Sequence, residues 1–284
     1  ELDPTLPRLR DMNCEVILGL REVLDEPSDV RDEWARTDAV RWVADYYDRI
    51  WVYGSADFFD PLAAIPMPVE VRERIEHVGF LARTVPGHPV PRDHSLPDDF
   101  ILVTAGGGGD AADLMRQVLA SKAFDRANHH PFVLVLGPYM SLAEKSEIRA
   151  RSADLQDVYV LDFDNRLEEL MARATAVIAM GGYNTFCELM SFDKRALIVP
   201  RTIPRKEQLI RARRAAEFGL VDILDPLEGK DPGRMAAAIR GLPRRQRPSE
   251  ASYEIDLTGL DRIGAIVDEI RYWRSEAQHA EVSG

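Results

Sequence analysis

Cysteine is nearly absent from this 284-residue chain: only Cys14 and Cys187 occur. A disulfide framework is thereby excluded, and two lone thiols fit a reducing compartment. Long apolar runs are also lacking. The longest, such as residues 132–136 and 176–180, are far short of the roughly 20 that span a bilayer. No transmembrane segment is expected in this chain. No basic-then-apolar leader opens it either. Together these readings place it in the cytoplasm, or peripherally on a membrane. Positive charge is in deficit: 36 Lys and Arg against 48 Asp and Glu give a net charge of −12. A phosphate backbone needs a basic surface, so nucleic acid is not the expected partner. Metal-ligand spacing is missing as well. His129 and His130 are neighbours without cysteine or acid partners at zinc spacing, so no metal site is expected. The first residue is Glu1 rather than Met, which reads as a processed chain or a piece of a longer one.

What is present is an ordinary globular balance, 45% hydrophobic and 30% charged, with a length that suggests about two domains. Two composition breaks divide it. Residues 84–99, TVPGHPVPRDHSLPDD, carry four prolines and read as an extended linker. Residues 241–250, GLPRRQRPSE, read as a second connection. Between them short apolar runs alternate with helical patterns. Ser141 and Glu144 have capping-box spacing, as do Asn165 and Glu168. Gly219 suits the end of the helix over 207–218, and Asp231–Pro232 opens another. Strands alternating with helices imply βαβ crossovers and a covered parallel sheet. Residues 98–241 therefore read as one complete doubly wound domain. Residues 1–83 offer strands at 15–18, 49–53 and 77–81 and a helix over 33–47, half of such a domain at best. The last helix, 260–274, carries Ile263, Ile266, Val267, Ile270 and Trp273 on one stripe and should dock.

Three segments could carry chemistry. The first is TAGGGGDA, where Gly106, Gly107, Gly108 and Gly109 lie between a strand and a helix. Such a loop lets a backbone approach an anion at a helix N-terminus. It formally fits a dinucleotide fingerprint, but the next strand ends without the acid a nicotinamide cofactor wants. A tight turn without ligand also fits. The second is MGGYNTFCE. Gly181 and Gly182 clear the backbone, and Asn184 and Thr185 begin a helix. Glu188 offers two acceptor oxygens matched to a vicinal diol such as a ribose, although an acid in a first helical turn also simply suits the dipole. The third is PRTIPRKEQ, beyond the next strand. Glu207 and Gln208 could hydrogen-bond sugar hydroxyls, and Arg201 and Arg205 could neutralise a diphosphate. Arg211, Arg213 and Arg214 read as a solvated helix face.

The order of these segments resembles the nucleotide-sugar-binding C-terminal domain of GT-B glycosyltransferases, over about residues 98–225. It resembles in particular the transferase that adds N-acetylglucosamine to the lipid-linked peptidoglycan precursor. A bacterial group of predicted glycosyltransferases is similar in YDRIWVYGS and VPRTIPRKEQ as well. The resemblance implies an α/β chain of GT-B type, with two Rossmann-like doubly wound domains, the N-terminal one incomplete. The division would be 1–83, the C-terminal part of an acceptor-side domain; 84–97, a linker; 98–241, the nucleotide-sugar domain; and 242–284, a linker and C-terminal helix. Glu188 then matches the acid on the donor ribose. Gly181, Gly182, Asn184 and Thr185 match the turn near diphosphate and sugar, and Gln208 the glutamine on the donor sugar. Phe163 falls where the family lines its base pocket. The family usually has His before that glutamine, where Glu207 stands here.

The expected activity is transfer of a sugar from a nucleotide donor, UDP-linked, to an acceptor hydroxyl on a glycan, lipid or small molecule. The resemblance implies no cofactor and no bound metal. A nucleotide-sugar 2-epimerase and a non-catalytic nucleotide-sugar-binding module are the alternatives. The family's candidate base sits on a glycine–histidine loop of the N-terminal domain, and residues 1–83 have no such loop. His88 and His94 in the linker are poor substitutes, so no catalytic residue is assigned and the chain alone is expected to bind donor but transfer poorly.

Overall fold

A computed structural model describes residues 5–85, 87, 96–105, 111–162 and 167–282. The chain divides into two compact units: Glu1–Ala82 with Ile255–Gly284, and Arg83–Glu254. The C-terminal segment thus groups with the N-terminal one, and residues 241–254 with the second unit.

The first unit opens with α1 (Leu6–Asp11), β1 (Ile17–Arg21), α2 (Pro27–Arg36), α3 (Ala39–Tyr46), β2 (Arg49–Tyr53), α4 (Val69–Arg72) and β3 (Ile75–His77). The strands form a parallel sheet in the order β1-β2-β3. Helices connect them because parallel neighbours need a crossover. Val30 of α2, Val43 of α3 and Val71 of α4 bury against Ile50 of β2. Two expectations are corrected. The single helix over 33–47 is two helices, broken where Asp38 takes a left-handed φ of 53°, a conformation that ends helical continuity. The strand over 77–81 ends at His77. Beyond it Gly79 adopts φ of 91° and Leu81 makes only an isolated bridge to Thr258.

The second unit runs β4 (Ile101–Thr104), α5 (Ala111–Phe124), β5 (Phe132–Val135), α6 (Leu142–Ser152), β6 (Val158–Leu161), α7 (Leu167–Arg173), β7 (Ala176–Ala179), α8 (Tyr183–Ser191), β8 (Arg195–Ile198), α9 (Glu207–Glu217), β9 (Asp222–Ile223) and α10 (Pro232–Gly241). All six strands are parallel, in the order β6-β5-β4-β7-β8-β9. Relative to the first strand of the unit this is the doubly wound order 3-2-1-4-5-6. Central strands β4, β5 and β7 are buried along their whole length, as expected for a sheet covered on both faces. Leu114, Met115, Val118 and Leu119 of α5 join Met235 and Ile239 of α10 in the core. The Ser141–Glu144 capping box forms, Asp231 caps α10, and Gly219 ends α9 with φ of 76°. The Asn165 cap lies outside the described residues.

Residues 241–254 are no free linker. Arg245 pairs with Asp222 and donates to the Val221 carbonyl, while Tyr253 stacks on Phe218. The chain then returns to the first unit: Phe80 N–H donates to the Asp256 carbonyl at 2.7 Å, and α11 (Gly259–Val282) begins. Ile263, Ile266 and Ile270 of its stripe are half-buried, whereas Val267 and Trp273 are exposed, so the expected docking face is covered only in part.

Candidate donor-binding site

In open doubly wound sheets ligands bind beyond the carboxyl ends of the strands, where the strand order reverses. Here that point lies between β4 and β7. The loop after β4 holds Gly106, Gly107, Gly108 and Gly109, and the loop after β6 holds Phe163. All five lie outside the described residues, as do His88 and His94.

After β7 the chain turns sharply at Gly181, whose φ is 80°. A Cβ there would also sit 2.8 Å from Ile198 Cγ2, so both conformation and packing demand glycine. Gly182 differs. It is the N-cap of α8 with an ordinary φ of −58°, and the nearest atom to a Cβ would be Gln208 Nε2 at 3.9 Å. Among the described residues nothing requires glycine at Gly182. The first N–H groups of α8, including that of Thr185, have no intrahelical acceptor and mark an anion-favouring end.

Across from this turn, Gln208 in the first turn of α9 is buried and accepts from the Arg201 N–H at 3.2 Å. Its amide oxygen thus ties the loop after β8 to the first turn of α9. Arg201 Nη2 donates to Glu207 Oε1 at 3.1 Å, so part of its charge is committed within the protein. Glu207 Oε2 is buried and meets no hydrogen-bond partner among the described residues. Arg205 is exposed. Beside these groups opens a cleft of about 280 Å³, bordered by Gln117, Met180, Val199, Arg201, Thr202 and Lys230.

Glu188 lies one turn into α8. Its Oε2 is buried without a hydrogen-bond partner among the described residues. Burial first, and then the charge of Glu168 on α7, push its carboxyl up to about 7, against a smaller opposing pull from Arg83.

Two residues were not found from the sequence. Arg211 is corrected from a solvated position: it is 1% exposed, its Nη1 donates to the Gly181 carbonyl at 3.1 Å, and it stacks over Tyr183. It pins the glycine turn from behind. A signal existed, since Gln208, Arg211, Ala212 and Ala215 repeat at i, i+3, i+4 and i+7 and are all buried. Arg213 is exposed as expected. Arg83 had no such signal. Its backbone N–H donates to Ser191 Oγ at 2.9 Å and its Nη2 to Asn184 Oδ1 at 3.0 Å, which brings a guanidinium to the Glu188 corner. Among the described residues no group of histidines, cysteines and acids could hold a metal ion.

Residues 100–224 match the family model for the glycosyltransferase family 28 C-terminal domain, and the Gly181–Glu188 and Arg201–Gln208 segments fall within it. No curated protein matches the sequence. Solved structures share the fold. The glycotransferase of kitacinnamycin superposes with a TM-score of 0.57 at 14% identity, over 93% of this chain and 69% of its own. MurG of Acinetobacter baumannii gives 0.55 at 16%, over 86% and 63%. A Listeria monocytogenes protein bearing a provisional UDP-N-acetylglucosamine 2-epimerase name gives 0.60 at 10%, over 97% and 78%. The chain therefore has a GT-B type α/β fold with Rossmann-like parallel sheets. It spans about two thirds of the length of the transferases it resembles.

Proposed function

We propose that the protein belongs to an enzyme that transfers a sugar from a nucleotide donor, UDP-linked, to an acceptor hydroxyl, and that the second unit binds the donor. The observation that carries this is the convergence of the Gly181–Gly182 turn, the α8 N-terminus, Glu188 and Gln208 at the strand-order reversal of a domain matching family 28. Glu188 accepts from the ribose hydroxyls, and Arg83 lies beside it. Gly182 leaves room for a phosphate against the backbone, where the N–H groups of α8 stabilise charge developing on the leaving diphosphate. Asn184 and Thr185 flank that position. Gln208 and Glu207 meet the sugar, and Arg201 borders the adjoining cleft. The four loop glycines and Phe163 remain assigned by resemblance, to diphosphate and base. The reaction needs no cofactor or bound metal on this reading, and the base and acceptor are unassigned.

Calorimetric titration of UDP into the chain tests the donor site. Binding is expected, weakened about tenfold or more by Glu188→Ala, the usual scale for a lost hydrogen bond to a charged group. Unchanged affinity in the mutant removes Glu188 from the ribose role. A nucleotide-sugar 2-epimerase is the alternative, which the match to a glycosyltransferase family model does not favour. Product analysis with UDP-N-acetylglucosamine alone separates the two, because an epimerase needs no acceptor. A binding module would hold donor without turnover.

A further inference from the structure

Glu207 and Gln208 open α9, and one residue of the loop after β8 holds both. Arg201 Nη2 donates to Glu207 Oε1 at 3.1 Å, and the Arg201 backbone N–H donates to Gln208 Oε1 at 3.2 Å. Each bond fixes which end of its partner is left over. An N–H is answered by the oxygen of the Gln208 amide, so the amide nitrogen, which only donates, is turned the other way. That nitrogen lies 3.9 Å from the place a Cβ on Gly182 would take, on the side of the glycine turn. Glu207 likewise gives one oxygen to the guanidinium. Its other oxygen, Oε2, is buried and accepts no hydrogen bond among the described residues. A carboxylate only accepts, so the two neighbouring side chains leave one acceptor and one donor for a ligand. The side chains of Arg201 and Glu207 are 30% and 14% exposed. A carboxylate so far out of water is sustained by its paired cation.

We propose that Arg201 is a positioning residue for donor-sugar recognition: it sets Glu207 as the acceptor and Gln208 as the donor that together meet free hydroxyls of the sugar. This rests on the donor-site reading and adds to it the residue that orients the sugar contacts. A hydroxyl both donates and accepts, so ring hydroxyls suit such a pair, and a sugar lacking them leaves both protein groups unanswered. The Arg201 side chain acts through Glu207 and touches neither sugar nor diphosphate, so its loss should be felt by a UDP-sugar and not by UDP. Gln208 keeps its bond in any side-chain variant at 201, because the donor there is the backbone. Glu207→Gln tests the other half. Its amide must give its oxygen to Arg201, and it then presents a donor where the carboxylate presented an acceptor.

The experiment is calorimetry with UDP, UDP-glucose and UDP-N-acetylglucosamine. The proteins are the parent chain, Arg201→Met, Glu207→Gln, Glu207→Ala and the double variant Arg201→Met with Glu207→Ala. Methionine keeps an aliphatic stem like that of arginine, and UDP affinity reports an intact site in each protein. Arg201→Met and Glu207→Gln should each weaken whichever UDP-sugar binds the parent more tightly, by about tenfold or more. Affinity for UDP should change by less than about twofold. The double variant should bind the sugar donor no more weakly than Glu207→Ala alone, the non-additivity of a residue that acts through another. Equal losses for UDP and the UDP-sugar in Arg201→Met overturn the proposal, because they mark a diphosphate contact or a merely structural role. So do additive losses in the double variant, or a UDP-sugar affinity unchanged by Arg201→Met or by Glu207→Gln. If UDP itself does not bind the parent chain, the donor-site reading falls first and this orientation with it.

Discussion

The two units are both parallel α/β arrangements, yet among the described residues only the second reverses its strand order. In the first unit the strands run β1-β2-β3, each added beside the last in one direction. Among the described residues no reversal of strand order occurs there. In the second unit the chain lays down β4, β5 and β6 one way and returns through β7, β8 and β9 on the other side. Such a reversal is where open doubly wound sheets bind their ligands. Burial differs in the same sense. The central strand of the first unit, β2, is buried in its middle only, whereas the central strands β4, β5 and β7 of the second are buried along their whole length.

The comparison can be broken through glycines, which serve each unit differently. Gly181→Ala in the second unit and Gly259→Ala in the first should have the largest effects. The first forces a side chain to φ of 80° and into Ile198, and the second places a Cβ 2.6 Å from the Gly79 carbonyl oxygen. Each is expected to cost about 1–3 kcal/mol, the scale of local backbone strain. Hydrogen exchange should register each loss in its own unit, and only Gly181→Ala should also weaken UDP binding. Equal loosening of both units by either change would show that they do not behave as separate bodies. Gly182→Ala should move thermal stability by no more than about 0.5 kcal/mol yet weaken UDP binding. A stability loss as large as that of Gly181→Ala would make Gly182 a folding glycine after all. An effect of opposite sign belongs to the first unit. Asp38→Gly should stabilise it by about 0.5–1 kcal/mol, because glycine accepts the left-handed junction between α2 and α3 at little steric cost. A fall in its melting temperature would mean that the aspartate side chain holds that junction.

These contrasts also mark how far the sequence could be read. Within the second unit, alternating buried runs and caps at Ser141 and Asp231 give the strands and helices nearly where they lie, since such signals act over a few residues. In the first unit the break at Asp38 was invisible, because a left-handed residue between two helical patterns leaves the apolar period almost intact. At the site, the MGGYNTFCE segment announced its turn and its acid locally. Arg211 was misread because the groups that justify burying it, the Gly181 carbonyl and the Tyr183 ring, come from some 30 residues away. Arg83 lay beside a proline-rich stretch with no periodicity, and only folding carries it to Asn184.

By itself, then, the sequence determined the local elements, the glycine turn after β7 and the acid one helical turn beyond it, since each depends on backbone preference and short-range periodicity. The tertiary structure alone decided the strand order that opens the crevice, the burial of Arg211 behind the turn, and the approach of Arg83 to Asn184. Those outcomes depend on which distant segments share one low-dielectric space, and there the cost of a charge is set by its neighbours rather than by its own residue type.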